Sequence, residues 1–208
     1  MTIGVLNYGA GNLGSVMNAL SRLGRETGIT ARFVEGPEEL LAAVFDKIIF
    51  PGDGHFASAM NALETAGYVP GLKAWIGAGR PFLGICIGMQ VLFEWSEEAP
   101  GIAGLSVVKG GVKKFPGRKV PQIGWNETAA RRGSRLFDGL KDATFFYYIH
   151  SYYCAPLDDA VTAATTDYYL PYCSALERGN LSAVQFHPEK SGEAGLRLLH
   201  NWIEGGAR

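Results

Sequence analysis

Cysteine is scarce. The chain holds three, at positions 86, 154 and 173, and no two form a Cys-x-x-Cys pair. This argues against a disulfide framework or a zinc centre and suits a reducing compartment. Long apolar runs are missing as well, since none approaches the ~20 residues needed to span a bilayer. The opening Met-Thr-Ile-Gly-Val-Leu-Asn-Tyr-Gly has no basic flank before an apolar stretch, so a strand is expected there and not a signal peptide. Excess charge is absent too: 19 Lys and Arg against 20 Asp and Glu leave a formal net charge of −1. That gives no reason to expect nucleic acid as a partner. No repeat, linker or low-complexity segment appears. The expectation is a soluble cytoplasmic protein, one domain over residues 1–208, with no membrane contact and neither metal nor cofactor, in which 47% apolar residues build the core.

What is present is organised around Arg80-Pro81-Phe82-Leu83-Gly84-Ile85-Cys86-Ile87-Gly88-Met89-Gln90. An apolar run ends at a cysteine flanked by glycines at two-residue spacing. Apolar residues then recur at helical period from Ile87 to Trp95. The pattern reads as strand, tight turn, helix, with cysteine at a nucleophile elbow. Gly84 and Gly88 are needed where strand and helix cross closely. The turn puts the thiol at the carboxyl end of a sheet and at a helix N-terminus, which favours thiolate.

Before the elbow, β and α segments alternate. Strands are expected at Ile3 to Tyr8, Thr30 to Val34 and Lys47 to Phe50. Helices are expected at Ser15 to Leu23, Pro37 to Val44, Asn61 to Thr65 and Gly71 to Ala78. This order implies a parallel sheet with right-handed crossovers. Gly9 to Gly14 matches Gly-x-Gly-x-x-Gly, with Glu35 about 20 residues on, as in dinucleotide-binding turns. A flexible first βα loop is the preferred reading, because nothing later resembles a second mononucleotide half. Pro51-Gly52-Asp53-Gly54 follows a buried strand, and its backbone N–H groups can turn out to stabilise an oxyanion. Asp53 is expected to point away and contribute only its backbone, and His55 to face solvent or cap a helix.

Past Pro100-Gly101 the segments shorten and alternate: Leu105 to Val108, Gly111 to Phe115 and Gln122 to Ala129. An aromatic strand pair, Phe145 to Cys154, follows. Ala160 to Thr166, Cys173 to Glu177 and Ser182 to Phe186 continue the strands. Ser191 to Glu204 closes as a helix with Leu196, Leu199 and Trp202 on one face. The fold class expected is α/β, a mostly parallel central sheet flanked by helices, with an antiparallel excursion in the second half.

The third informative stretch is Ala183-Val184-Gln185-Phe186-His187-Pro188-Glu189-Lys190-Ser191. A strand delivers His187 at its end, and Glu189 can hold the ring's far nitrogen. Cys86 as nucleophile, His187 as base then acid and Glu189 as orienter form a triad.

Gly-Ile-Cys-Ile-Gly-Met-Gln together with Gln-Phe-His-Pro-Glu-Lys-Ser resembles the class I (triad) glutamine amidotransferases over the whole length. Within them, Asn7 to Asn12, Pro51 to Gly54, Val120 to Asn126 and Tyr148 to Tyr152 look like the glutaminase subunits of imidazole glycerol phosphate synthases. The resemblance implies that Cys86 attacks the side-chain amide of glutamine while backbone N–H groups of Ile87 and the Gly52–Asp53 loop hold the oxyanion. Gln90 and Glu98 would bind glutamine, and His150, Ser151 and Tyr152 would line its pocket. Trp125, Asn126, Tyr147 and Lys190 match positions facing a (β/α)8-barrel cyclase subunit, the implied heterodimer partner that receives the ammonia. Two departures stand out: Asp53 replaces the usual Val, and Gln122-Ile123 replaces the commoner His-Met. The rival readings are a glutaminase feeding another synthase, such as the one making pyridoxal phosphate, a dinucleotide-binding protein using Gly9 to Gly14, and a cysteine peptidase-like hydrolase.

Overall fold

Short apolar runs separated by amphipathic helices can bury both faces of a parallel sheet, and the first half of the chain does so. The computed structural model describes residues 1–9, 12–42 and 44–205. Strands β1 (Thr2–Leu6), β2 (Thr30–Val34), β3 (Lys47–Phe50) and β4 (Phe82–Ile85) alternate with α1 (Leu13–Thr27), α2 (Pro37–Leu41), α3 (Phe56–Thr65) and α4 (Tyr68–Gly77). The second half holds α5 (Ile87–Gln90), β5 (Trp95–Ser96), β6 (Gly110–Lys114), β7 (Gln122–Ala130), β8 (Ala143–His150), β9 (Tyr152–Pro156), β10 (Thr162–Asp167), β11 (Pro171–Arg178), β12 (Leu181–Val184) and α6 (Gly192–Glu204).

One sheet runs through the molecule in the order β2-β1-β3-β4-β12-β11-β10-β7-β8, with β9, β6 and β5 branching from β11. Pairing is parallel from β2 to β12 and antiparallel from β12 to β8. The last strand in the chain, β12, thus lies parallel beside β4, with Val184 opposite Ile85. Residues following both strands emerge at the same sheet edge, which brings positions 86 and 187 together from distant parts of the chain.

The two sheet faces have separate cores. Ile3, Val5, Ile49 and Val184 pack with Val16, Leu20, Leu198 and Trp202 of α1 and α6. Ile48, Phe50 and Phe82 pack with Phe56, Leu72 and Trp75 of α3 and α4. A buried lysine ties α6 down: Lys47 Nζ donates to the carbonyls of Trp202 (2.8 Å) and Gly205 (2.7 Å), where a cation complements the helix C-terminus.

Several expected boundaries move. The helix after the elbow stops at Gln90 instead of reaching Trp95. The carbonyls of Val91, Leu92 and Phe93 accept from Leu105, Val107 and Val108, and Ser106, so residues 91–93 act as half of an irregular ladder. For the same reason Leu105 to Val108 forms no regular strand. The helices α3 and α4 start earlier than expected, at Phe56 and Tyr68. Helix α2 ends at Leu41, and residue 43 of the expected segment lies outside the described residues, as do Ala10 and Gly11 of the Gly9 to Gly14 stretch. The two aromatic strands β8 and β9 do not pair with each other: β8 pairs β7, and β9 pairs β6 and β11. On α6, Leu198 is buried beside Leu199 and Trp202, while Leu196 is only partly covered.

Candidate active site

The elbow at Cys86 is a backbone requirement met by its neighbours. Cys86 has φ 55° and ψ −107°, a sparsely populated conformation that costs energy for a residue with a Cβ. It is over-determined on both sides. Cys86 N donates to Val184 O at 2.8 Å, and Cys86 O accepts from Met89 N (2.9 Å) and Gln90 N (3.1 Å). A Cβ on Gly84 would lie 2.4 Å from Gly88 O, and one on Gly88 would lie 2.1 Å from Phe50 O. Both glycines are therefore fixed by close backbone approach, Gly88 against β3. Since α5 has one turn, its dipole adds little at the thiol. The positive charge comes from His187.

His187 is held by its own backbone. Its N–H donates to Tyr147 O of β8 at 2.9 Å, and its carbonyl accepts from Ser191 Oγ, which also accepts from Tyr147 N at 3.0 Å. The ring's Nδ1 lies 2.8 Å from Glu189 Oε1, and both side chains are buried. Burial pushes the imidazole's pKa down, but the Cys86 thiolate and the Glu189 carboxylate outweigh it and raise the value to about 10. The arrangement favours an imidazolium beside Cys86. Nε2 makes no hydrogen bond among the described residues.

Asp53 corrects an expectation. Its carboxylate does not point away: Oδ1 lies 3.7 Å from His187 Nε2. His55 caps α3, with Nδ1 accepting from Ala57 N at 3.1 Å.

A cavity of about 310 Å³ opens on the thiol. It is lined by Asp53, Gly54, Cys86, Ile87, Gln90, Glu98, His150, Ser151, Tyr152 and Lys190 among others, so every residue expected to contact glutamine reaches one space. Gly52 stands behind this wall, where a Cβ would lie 2.2 Å from both Ile87 Cγ2 and Tyr8 Oη. Glu98 Oε2 accepts from Phe56 N at 2.7 Å, which fixes the carboxylate at the mouth. Gln90 Nε2 donates to Tyr152 O and to Gln185 Oε1, both at 3.0 Å.

His150 forms the buried far wall. Its Nδ1 lies 2.8 Å from Tyr152 O, so Nδ1 donates and the neutral ring's Nε2 accepts from Tyr172 Oη, 3.2 Å away. Gln122 lies 3.0 Å from that hydroxyl, and its amide nitrogen is otherwise unpartnered among the described residues. With the amide turned, that nitrogen donates to Tyr172, whose hydroxyl then donates to His150 Nε2. Burial drives His150 down to about 4, with the charge of His187 adding to the effect. Gln122 is thus buried behind the cavity wall, reaching His150 through Tyr172, although Ile123 beside it is exposed.

The expected docking set divides. Along the outer face of β7 and β8, Ile123 opposes Ile149 and Trp125 opposes Tyr147, with Phe145 alongside. Ile123, Trp125, Phe145 and Ile149 are all exposed, and the Trp125 and Tyr147 rings meet edge-on at 6.2 Å. Tyr148, next to Tyr147 in the chain, turns inward and is fully buried, with its hydroxyl 2.6 Å from Thr128 Oγ1. Asn126 faces inward, its Nδ2 donating to Asp167 O at 2.9 Å. Lys190 lines the cavity.

Two site residues escaped sequence reasoning. Gln185 is fully buried, and its Nε2 lies 3.6 Å from Cys86 Sγ, within donor reach of the sulfur. Its signal was a lone polar residue inside the apolar run Ala183 to Phe186. Tyr8 lies two residues past the end of β1, and its buried hydroxyl finds no partner among the described residues. Cys154 and Cys173 are buried and free. No group of His, Cys, Asp and Glu among the described residues could hold a metal, and no described helix is long and apolar enough to cross a membrane.

Comparison with known proteins gives one consistent family. Residues 5–204 match the family model described as Glutamine amidotransferase class-I. A curated relative from Deinococcus radiodurans, "Imidazole glycerol phosphate synthase subunit HisH", is 48% identical and covers 95% of this chain and 91% of its own length. A relative of the same name from Methanothermobacter thermautotrophicus is 45% identical, covering 97% and 98%. Among solved structures, a glutamine amidotransferase aligns with a TM-score of 0.75 at 22% identity over 97% of each chain. Another, from Thermotoga maritima, aligns at 0.66 and 16% identity over 98% of this chain and 81% of its own. At such identities the structures speak for the fold alone.

Proposed function

The chain belongs to the class-I glutamine amidotransferases, and on that premise we propose that it is the glutaminase subunit of an imidazole glycerol phosphate synthase, releasing ammonia from glutamine for histidine biosynthesis. It is one amidotransferase domain, residues 1–208, working in the cytoplasm against a (β/α)8-barrel cyclase. The observation that carries this reading is the thiol of Cys86 on a strained elbow beside a buried His187 whose far nitrogen is held by Glu189 at 2.8 Å.

Cys86 Sγ attacks the amide carbon of glutamine, and the carbonyl oxygen takes up negative charge against the N–H groups of Ile87 and the Gly52–Asp53 loop. His187 gives its Nε2 proton to the departing nitrogen, and ammonia leaves a glutamyl thioester. His187 then takes a proton from water, whose oxygen attacks the thioester and frees glutamate. Glu98, at the cavity mouth, suits the substrate's α-ammonium, with Gln90, His150, Ser151 and Tyr152 completing the pocket.

The outer face of β7 and β8 supports the docking reading, since exposed aromatic and aliphatic residues in one stripe are what an interface core contains. Trp125 and Tyr147 lie in it. Lys190 lines the pocket and Asn126 braces β7 from within, so both would act on the interface through what they hold. Ammonia must stay neutral to react, and a face sealed against a cyclase keeps it from water. The cyclase would then add it to an N-linked phosphoribulosyl aminoimidazole carboxamide ribotide, giving imidazole glycerol phosphate and an aminoimidazole carboxamide ribotide.

The test is glutamate release by wild type and Cys86→Ala, each alone and with a barrel cyclase and its ligand. The expected result is cyclase-stimulated release in wild type and none in the variant, which still folds and docks. Equal release with and without cyclase, or release by Cys86→Ala, would contradict the reading.

A further inference from the structure

Gln185 follows β12 and Cys86 follows β4, so the register that pairs Val184 with Ile85 sets the two side by side at one sheet edge. Gln185 is fully buried, and its backbone N–H donates to Ser174 O of β11 at 2.8 Å, which anchors it. Its side-chain Nε2 lies 3.6 Å from Cys86 Sγ. We propose that Gln185 is a further member of the reacting group: its side-chain N–H holds the Cys86 sulfur in place and stabilises negative charge on it, before attack and again when the thioester breaks. The proposal rests on the glutaminase reading of the site.

The direction of that amide is imposed by its neighbours. Tyr152 O is a backbone carbonyl and can only accept; Gln90 Nε2 donates to it at 3.0 Å, and His150 Nδ1 lies 2.8 Å from it. Gln90 must therefore turn its nitrogen that way, and the same nitrogen donates to Gln185 Oε1 at 3.0 Å. Cys154 brings a second donor to that oxygen, with Sγ 3.9 Å away. Burial raises the Cys154 thiol well above its usual range, so it stays S–H and donates. The reversed amide would set nitrogen against nitrogen at Gln90, so Nε2 of Gln185 faces Cys86. A buried N–H without a partner is costly, and the sulfur is the partner this one finds among the described residues. The contact matters because the sulfur is charged twice in the cycle: as the attacking thiolate, and as the group expelled when water cleaves the thioester.

The experiment compares wild type with Gln185→Glu and Gln185→Met. Gln185→Glu keeps the oxygen that Gln90 needs and replaces only the N–H facing Cys86, whereas Gln185→Met keeps the bulk and removes both. The readouts are glutamate release with a barrel cyclase and its ligand, thermal melts, and the rate at which iodoacetamide alkylates Cys86, followed on that peptide by mass spectrometry. Gln185→Glu should lower kcat roughly 10- to 100-fold with KM within about twofold of wild type, because a carboxylate then faces the sulfur while Gln90 keeps its acceptor. Gln185→Met should lower kcat several-fold and raise KM, because Gln90 loses that acceptor. Alkylation should slow roughly tenfold in Gln185→Glu and several-fold in Gln185→Met. A side chain that only filled space would leave both rates of Gln185→Met at the wild-type level. Unchanged alkylation in a folded Gln185→Met chain would overturn the proposal whether or not Gln185→Glu folds, and so would a folded Gln185→Glu chain with wild-type kcat. A wild-type chain that releases no glutamate even with cyclase would remove the glutaminase reading, and the alkylation rates would still decide whether the amide acts on the sulfur.

Discussion

Two buried histidines near one cavity are shifted in opposite directions. His187, at the end of the parallel half, is raised to about 10, whereas His150, on the antiparallel half, is lowered to about 4. Desolvation pushes both down. The difference lies in their partners. His187 has Glu189 on Nδ1 and a thiolate nearby. His150 has a carbonyl and a tyrosine hydroxyl, which satisfy the neutral ring. The parallel half therefore makes a reactive, charged site, and the antiparallel half makes a neutral wall and an apolar outer face.

The strongest way to break the contrast is to neutralise the carboxylate. Glu189→Gln should lower kcat for glutamate release by about 10²- to 10⁴-fold, because the imidazolium loses its counter-charge and its orientation. The His187 midpoint should drop with it, as read by imidazole titration.

Acid tests the other side. His150 has its pKa depressed in the folded chain relative to about 6.5 unfolded. The unfolded state therefore binds more protons between about 4 and 6.5, and stability falls as pH falls through that window. The contribution is fully present above about pH 6.5 and its loss reaches about 3 kcal/mol near the folded value, about pH 4. Denaturant melts at stepped pH should show this slope in wild type and lose it in His150→Gln.

On the outer face, Trp125→Ala should weaken cyclase docking by about 2 kcal/mol, as loss of an interface aromatic does, while shifting the isolated chain's stability by no more than about 0.5 kcal/mol. Titration calorimetry and thermal melts separate the two. The smallest effect is expected at Gln185. Gln185→Leu removes a donor from Cys86 Sγ and an acceptor from Gln90, and should cost about 1 kcal/mol in stability, together with a several-fold loss in kcat.

The triad was legible because each member sits in a local pattern: a glycine-bracketed cysteine, and a histidine with Pro and Glu behind it at the end of an apolar strand. Strands β3 and β4 were legible from short apolar runs, as parallel buried strands require. The end of α5 was not, because the carbonyls of the residues that follow it, 91–93, are taken by residues about fifteen positions later, which no periodicity reports. Nor was the direction of Asp53. A turn between two glycines leaves side-chain orientation to tertiary contacts. Gln185 and Tyr8 matter through what lies across the sheet edge, and single-strand patterns do not contain that.

The central claim is a thiolate on the elbow at Cys86 that reacts with the side chain of glutamine. Its most direct test is mass-spectrometric mapping of adducts after exposure to an electrophilic diazoketone analogue of glutamine in the presence of a cyclase. A single adduct on Cys86, absent from Cys154 and Cys173 and lost in His187→Ala, is the expected result. A folded, glutaminase-active chain with no label on Cys86, or with its label on Cys154 or Cys173, would contradict it.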